Sequence, residues 1–171
     1  MDDPIIPEAL IALPSQPWEG IVFRHMFGNF PPDRENTLGA RWNPPQVAAV
    51  YSSLTRSGSL AEAEYQISLQ PFPPRARRSL YRISVKLHSV VDLTQEGVLG
   101  QLGLNSSMIN QIDHRACQSI GRAIEWLGHD GAIVPSARSA NSNLVIYPNK
   151  IAPDVYEFRV LDYEVLQEST L

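Results

Sequence analysis

The sequence predicts a single α+β domain, on three observations. Strand-like runs recur along the whole chain, helical periodicity is confined to a few stretches, and the two do not alternate as in a doubly wound sheet. The 171 residues, 43% hydrophobic and 19% charged, show no internal repeat and no dividing linker. A chain of this size buries roughly 70% of the surface it exposes when unfolded, so disulfides and metals are not needed for stability.

In order, Pro14 and Pro17 bracket an irregular lead-in, and Ile21–Phe27 is rich in strand-forming types. Residues Asn29 to Pro45, with four prolines and several Asx-type residues, read as a long loop of the kind that often carries function. Val47–Ser53 reads as a buried strand. Ser59 with Glu62 three residues later has capping-box spacing, which predicts a helix over Leu60–Leu69 ended by Pro71. Leu80–Leu87 alternates apolar and polar, Val90–Leu93 is a second strand piece, and a small helix runs up to Gly103. The clearest helix spans Ser107 to Leu127, with Ile109, Ile112, Ala116, Ile120, Ala123, Ile124 and Leu127 on one face and Gly128 as its stop. Gly131–Val134 and Asn143–Tyr147 flank the loop PSARSANS, and a closing strand occupies about 155–167.

Composition excludes several classes. No stretch reaches the ~18 apolar residues of a membrane span. The N-terminus begins acidic, without the basic region of a signal peptide. The lone Cys117 makes no internal disulfide, sits in an apolar helical pattern and reads as core; a reducing, cytoplasmic setting follows. Net charge −4 and pI near 5.5 argue against nucleic-acid binding. His25, His114 and His129 show no i, i+4 pairing, so structural or surface roles are expected and no metal.

Residues 39–65, GARWNPPQVAAVYSSLTRSGSLAEAEY, carry the chemistry. A turn with Arg41 leads into a strand with Tyr51, then a helix with Glu62 and Glu64, bringing a guanidinium, an aromatic ring and a carboxylate to one sheet end. A guanidinium presents a fork of donors that suits a pyrophosphate. A tyrosine ring offers a stacking face. A carboxylate stabilises positive charge on a ribosyl carbon, as in glycosidic cleavage. On spacing alone, simpler roles stay open: an ion pair for Arg41, a core position for Tyr51, the capping box for Glu62 and a solvated helix face for Glu64.

The runs GARWNPP, AVYSS and SLAEAEY, followed by a late helix, GAIVPSAR and NLVIYP, resemble in order the motifs of the RES domain of bacterial toxin–antitoxin pairs. The likeness covers residues 20–150. It implies a fold similar to ADP-ribosyltransferases of the diphtheria-toxin type, a central split mixed sheet flanked by helices. It also implies an enzyme that consumes NAD⁺ as substrate, without metal, and is silenced by a cognate Xre-like antitoxin, in a homo- or hetero-oligomer with that antitoxin. Position by position, the resemblance makes Arg41, Tyr51 and Glu62 the catalytic set, with Glu64 the alternative carboxylate. Arg24 would contact the phosphates, and Trp42, Asn43, Ser136 and Asn143 would line the ligand. Water as acceptor gives ADP-ribose, phosphate gives ADP-ribose 1″-phosphate, and a protein side chain gives mono-ADP-ribosylation; a non-catalytic nucleotide-binding module is the remaining alternative.

Overall fold

The computed structural model describes residues 2–170. Its elements are helix α1 (Glu8–Ala12), strands β1 (Ser15–Phe27) and β2 (Val50–Ser53), helix α2 (Arg56–Ser68), strand β3 (Arg78–Asp92), helices α3 (Val98–Gln101), α4 (Ser106–Asn110) and α5 (Arg115–Trp126), strands β4 (Gly131–Pro135) and β5 (Ser142–Ile146), a 3₁₀ turn (Pro148–Lys150) and strand β6 (Glu157–Gln167). No helix among the described residues is long and apolar enough to cross a membrane.

The sheet is mixed, in the order β1-β2-β5-β4-β3-β6, and β1 also pairs with β3. Five strands therefore close into a ring, and β6 is appended. The 15-residue β3 makes this topology. One of its edges pairs antiparallel with β1 from Arg78↔Phe27 to Val91↔Ser15. The other edge takes β6 along residues 78–86 and then β4, in parallel, at 90–92. The sheet splits there, and the α+β class stands.

Strand alternation sends side chains to two sides. Val22, Val50, Ile83, Val85, Leu87, Ile133, Leu144 and Ile146 fill the space that the strands enclose. Their neighbours Val91, Ala132, Val134 and Val145 face outward and pack against Leu10 of α1, Val98 of α3, Ile109 of α4 and Cys117, Ile120 and Ile124 of α5.

Three sequence expectations are corrected. The strand at the N-terminus starts at Ser15, not Ile21; Pro17 is accommodated at a register shift between Gln16 and Trp18, where a missing N–H is tolerated. Residues 80–87 and 90–93 belong to one continuous strand rather than two. The long late helix is broken. The Asp113 carboxylate takes the Arg115 N–H at 3.0 Å, the donor that a continuous helix would give to Gln111, and Ile112 is left almost fully exposed. Gly128 does stop the helix, with φ +85.

At Gly121 of α5, a Cβ would lie 1.8 Å from the Trp42 carbonyl oxygen. The helix therefore touches backbone of the 29–45 loop directly. Gly121→Ala is expected to cost at least about 1–3 kcal/mol, the usual penalty of overpacking, and to lower the urea midpoint; an unchanged midpoint would show that this approach is not tight.

Candidate active site

The turn carrying Arg41 is built from backbone constraints. Ala40 N–H bonds the Asn43 carbonyl at 2.9 Å, closing a tight turn around Arg41 and Trp42. Gly39, at φ +99, meets Pro45 at 3.0 Å from where a Cβ would stand, so a side chain there is strained twice over. Gln118 of α5 donates to the Ala40 carbonyl at 2.9 Å, and Tyr147 donates to the Trp42 carbonyl at 2.8 Å. The Tyr51 hydroxyl accepts from Trp42 N–H at 2.9 Å and donates to Asn43 Oδ1 at 2.6 Å. Burial holds the Tyr51 phenol well above the ordinary tyrosine range, against the opposing pull of the Trp42 hydrogen bond and of Arg41.

Trp42 and Asn43, which the resemblance placed against the ligand, are interior residues. Trp42 is 2% exposed and Asn43 0%. The Asn43 amide donates at 2.7 Å to the Val47 carbonyl and contacts Asn36, while its oxygen holds Tyr51. Their work is to shape the turn, since a side chain this enclosed presents no surface to a ligand.

Arg41 is what the turn presents. Its guanidinium donates to the Gln111 carbonyl at 3.0 Å, the acceptor left over by the break between α4 and α5. Desolvation lowers its pKa, with Arg138 adding like-charge pressure and Glu62 opposing it. Among the described residues neither Arg41 nor Arg138 forms an ion pair, whereas Arg56, Arg78, Arg82, Arg115 and Arg159 all do.

The carboxylate comes from α2. Thr55 caps this helix by accepting from Gly58 N–H at 3.0 Å; Ser59 lies buried in its second turn. The capping box expected at Ser59 and Glu62 is thus not formed, and Glu62 is available for another task. Its Oε1 accepts from Ser136 Oγ at 2.7 Å and from Asn143 Nδ2 at 3.3 Å. Ser53 fixes the Asn143 amide by donating to its oxygen at 3.1 Å, which aims the amide N–H₂ at Glu62. Glu64 points elsewhere, about 200° around the helix. It pairs with Arg78 at 3.0 Å, and Arg78 in turn donates to His25 Nε2 at 3.1 Å.

The structure thus joins Glu62, Ser136 and Asn143 by hydrogen bonds and brings Tyr51 and Arg41 into electrostatic range of that set. Arg24 stands apart. Its guanidinium donates to the Pro32 and Arg34 carbonyls at 2.6 and 2.7 Å, tying down the 29–45 loop, and burial pushes its pKa down to about 10. Sequence reasoning missed Arg138, whose guanidinium lies 3.4 Å over the Tyr65 ring. It stands two residues beyond Ser136, so its position was the available signal. Gln118, Tyr147 and Ser53 gave none. Two shallow surface grooves, of about 440 and 530 Å³, are lined by 86–88 with 154–157 and by 70–75; neither includes these groups.

A closed, split sheet with an Arg, a Tyr and a hydrogen-bonded Glu at one edge defines an α+β domain with a polar site beside its helical layer. Residues 17–166 match the RES domain, and the chain belongs to that family. It is 30% identical over 129 residues to the NAD(+) phosphorylase MbcT of Mycobacterium tuberculosis and to that of Mycobacterium bovis, covering 71% of this chain and 68% of each relative. The fold is similar to a chain in the crystal structure of the M. tuberculosis MbcT–MbcA toxin–antitoxin complex, with TM-score 0.80 and 23% identity over 94% of this chain and 91% of that one.

Two outcomes are expected here. Tyr51→Phe leaves the Trp42 N–H and the buried Asn43 oxygen without partners, and should cost about 1–3 kcal/mol in urea denaturation; no loss would show that the hydroxyl does not hold the turn. Burial and the neighbouring Arg78 lower the His25 pKa to about 4, with Glu64 opposing. The unfolded chain therefore binds a proton there near pH 6.5 that the folded chain refuses. Stability should fall as pH drops from about 6.5 towards 4, and His25→Gln should flatten that slope in pH-dependent melting.

Proposed function

We propose that this chain cleaves the nicotinamide–ribose bond of NAD⁺ and acts as the toxin of a toxin–antitoxin pair. The observation that carries this reading is the Glu62 carboxylate, held by Ser136 and Asn143 beside two guanidiniums that have no carboxylate partner. Family membership and the relative's name, NAD(+) phosphorylase, support it.

Arg41 holds the pyrophosphate through its fork of donors, in a position fixed by the Trp42 and Ala40 backbone. The Tyr51 hydroxyl is engaged within the protein, so its contribution to the ligand is the ring face. Glu62 faces the ribose and stabilises positive charge at C1″ as the C1″–N bond breaks. The bonding pair leaves with nicotinamide, which departs neutral from a cationic state and needs no general acid. An acceptor oxygen then bonds to C1″.

The closed sheet with Arg, Tyr and Glu along one edge supports grouping the fold with ADP-ribosyltransferases of the diphtheria-toxin type. The structural neighbour comes from a toxin–antitoxin complex, which supports a cognate antitoxin as partner; from the family resemblance, that antitoxin is Xre-like, covers this site and acts with the toxin in the cytoplasm.

Nicotinamide release by the purified chain tests the reading. Glu62→Gln should lower kcat by about 10²–10³-fold, the usual loss of one preorganised electrostatic contact, while NAD⁺ binding by calorimetry survives. Equal rates for wild type and variant would remove Glu62 from the chemistry, and no release by the wild type would remove NAD⁺ cleavage altogether.

A further inference from the structure

The Glu62 carboxylate is held by one of its two oxygens. Ser136 Oγ at 2.7 Å and Asn143 Nδ2 at 3.3 Å both donate to Oε1, and among the described residues no group donates to Oε2. The two donors thus set how the carboxylate is rotated and leave Oε2 as the oxygen open to a ligand. Of the two, Asn143 carries a further choice. A planar amide turned by 180° keeps its shape but exchanges donor for acceptor. Turned that way, Asn143 would set its own oxygen against a carboxylate, which only accepts.

The far side of the amide decides the matter. Ser53 Oγ donates to Asn143 Oδ1 at 3.1 Å. The two residues are directly opposed across β2 and β5, where facing side chains stand roughly 5 Å apart. Both backbones are interior to the sheet, since Phe23 of β1 opposes Ser53 on its other side and Val134 of β4 opposes Asn143. Strand alternation puts Ser53 on the face of Tyr51, towards the site, and Ser52 on the face of Val50, towards the enclosed core. Both serines are buried. The Ser52 hydroxyl donates to the Leu144 carbonyl at 3.1 Å and bonds no group of the site.

We propose that Ser53 is a positioning residue for the cleavage: by fixing the Asn143 amide it sets the rotation of the Glu62 carboxylate and aims Oε2 at the ribosyl carbon. The inference rests on NAD⁺ cleavage at Glu62. Ser53 bonds neither Glu62 nor the ligand and acts through Asn143. Without its hydroxyl, Oδ1 has no partner, and the amide turns about a terminal bond whose torsional wells are broad. Nδ2 then leaves Oε1, and the carboxylate must reorient before it can stabilise positive charge at C1″.

The test is steady-state nicotinamide release by the purified chain with NAD⁺ varied, beside urea denaturation of each variant. Ser53→Ala should lower kcat about five- to tenfold, the worth of one hydrogen bond, and leave KM for NAD⁺ within about twofold. In an Asn143→Ala background the same substitution should change kcat by less than about twofold, because the two residues act as one unit. Ser52→Ala, which removes a buried hydroxyl one position away, should lower the urea midpoint and leave kcat within about twofold. If Ser53→Ala does not fold, Ser53→Thr and Ser53→Val have the same shape and differ in the hydroxyl; threonine should keep kcat near the wild-type value and valine should not. Equal kcat in those two variants, or a Ser53→Ala kcat equal to wild type, would overturn the assignment. A loss that is undiminished in the Asn143→Ala background, or matched by Ser52→Ala, would also overturn it, as a general loosening of β2. Each of these leaves NAD⁺ cleavage standing, whereas no release by the wild type would overturn the cleavage reading and this inference with it.

Discussion

The Tyr51 hydroxyl, bonded at once to Trp42 N–H and Asn43 Oδ1, is the contact on which the site depends. It links a strand of the closed sheet to a loop that has little regular structure of its own. Tyr147 and Gln118 add the carbonyls on either side, so the backbone flanking Arg41 is held from β2, from the residue after β5 and from α5. A loop normally gains flexibility from its length. Here the Ala40 carbonyl and both backbone groups of Trp42 have partners in rigid elements or beside them, and the Arg41 guanidinium projects from the turn they hold.

That arrangement separates two kinds of residue within one short motif. Trp42 and Asn43 are buried and shape the turn, Gly39 permits it, and Arg41 alone faces outward with its charge unpaired. The same division holds on α2, where the buried face carries Ser59 and Ala63, Glu64 ties the helix to Arg78 on β3, and Glu62 turns to Ser136 and Asn143. In the proposed reaction, preorganisation of this kind would let electrostatic stabilisation act without reorientation at the moment of bond breaking.

The break between α4 and α5 shows how a local conflict can serve a site. Asp113 competes for the Arg115 N–H, the helix is interrupted, and the Gln111 carbonyl becomes the acceptor for Arg41. The exposed Ile112 marks the same interruption. Its apolar side chain is why the periodicity ran through this point, since a hydrophobic count cannot register a carboxylate taking a backbone donor.

What the residues alone established is the part governed by local pattern: the α+β class, most strands and the stop at Gly128; Arg41, Tyr51 and Glu62 came forward as one candidate set through the ordered motifs of the resemblance. Short-range chemistry writes itself into sequence because turns, caps and alternation need particular residue types at particular spacings. The tertiary structure decided what spacing leaves open. Thr55 rather than Ser59 caps α2, which frees Glu62 from the capping box. Glu64 belongs to Arg78, Arg24 belongs to the loop carbonyls, and Arg138 joins the site through Tyr65. The Thr55 cap is local, but the contacts of Glu64, Arg24 and Arg138 join groups between 8 and 73 positions apart in the chain, and the closure of β1 on β3 with the packing of α2 on that ring brings them within bonding distance.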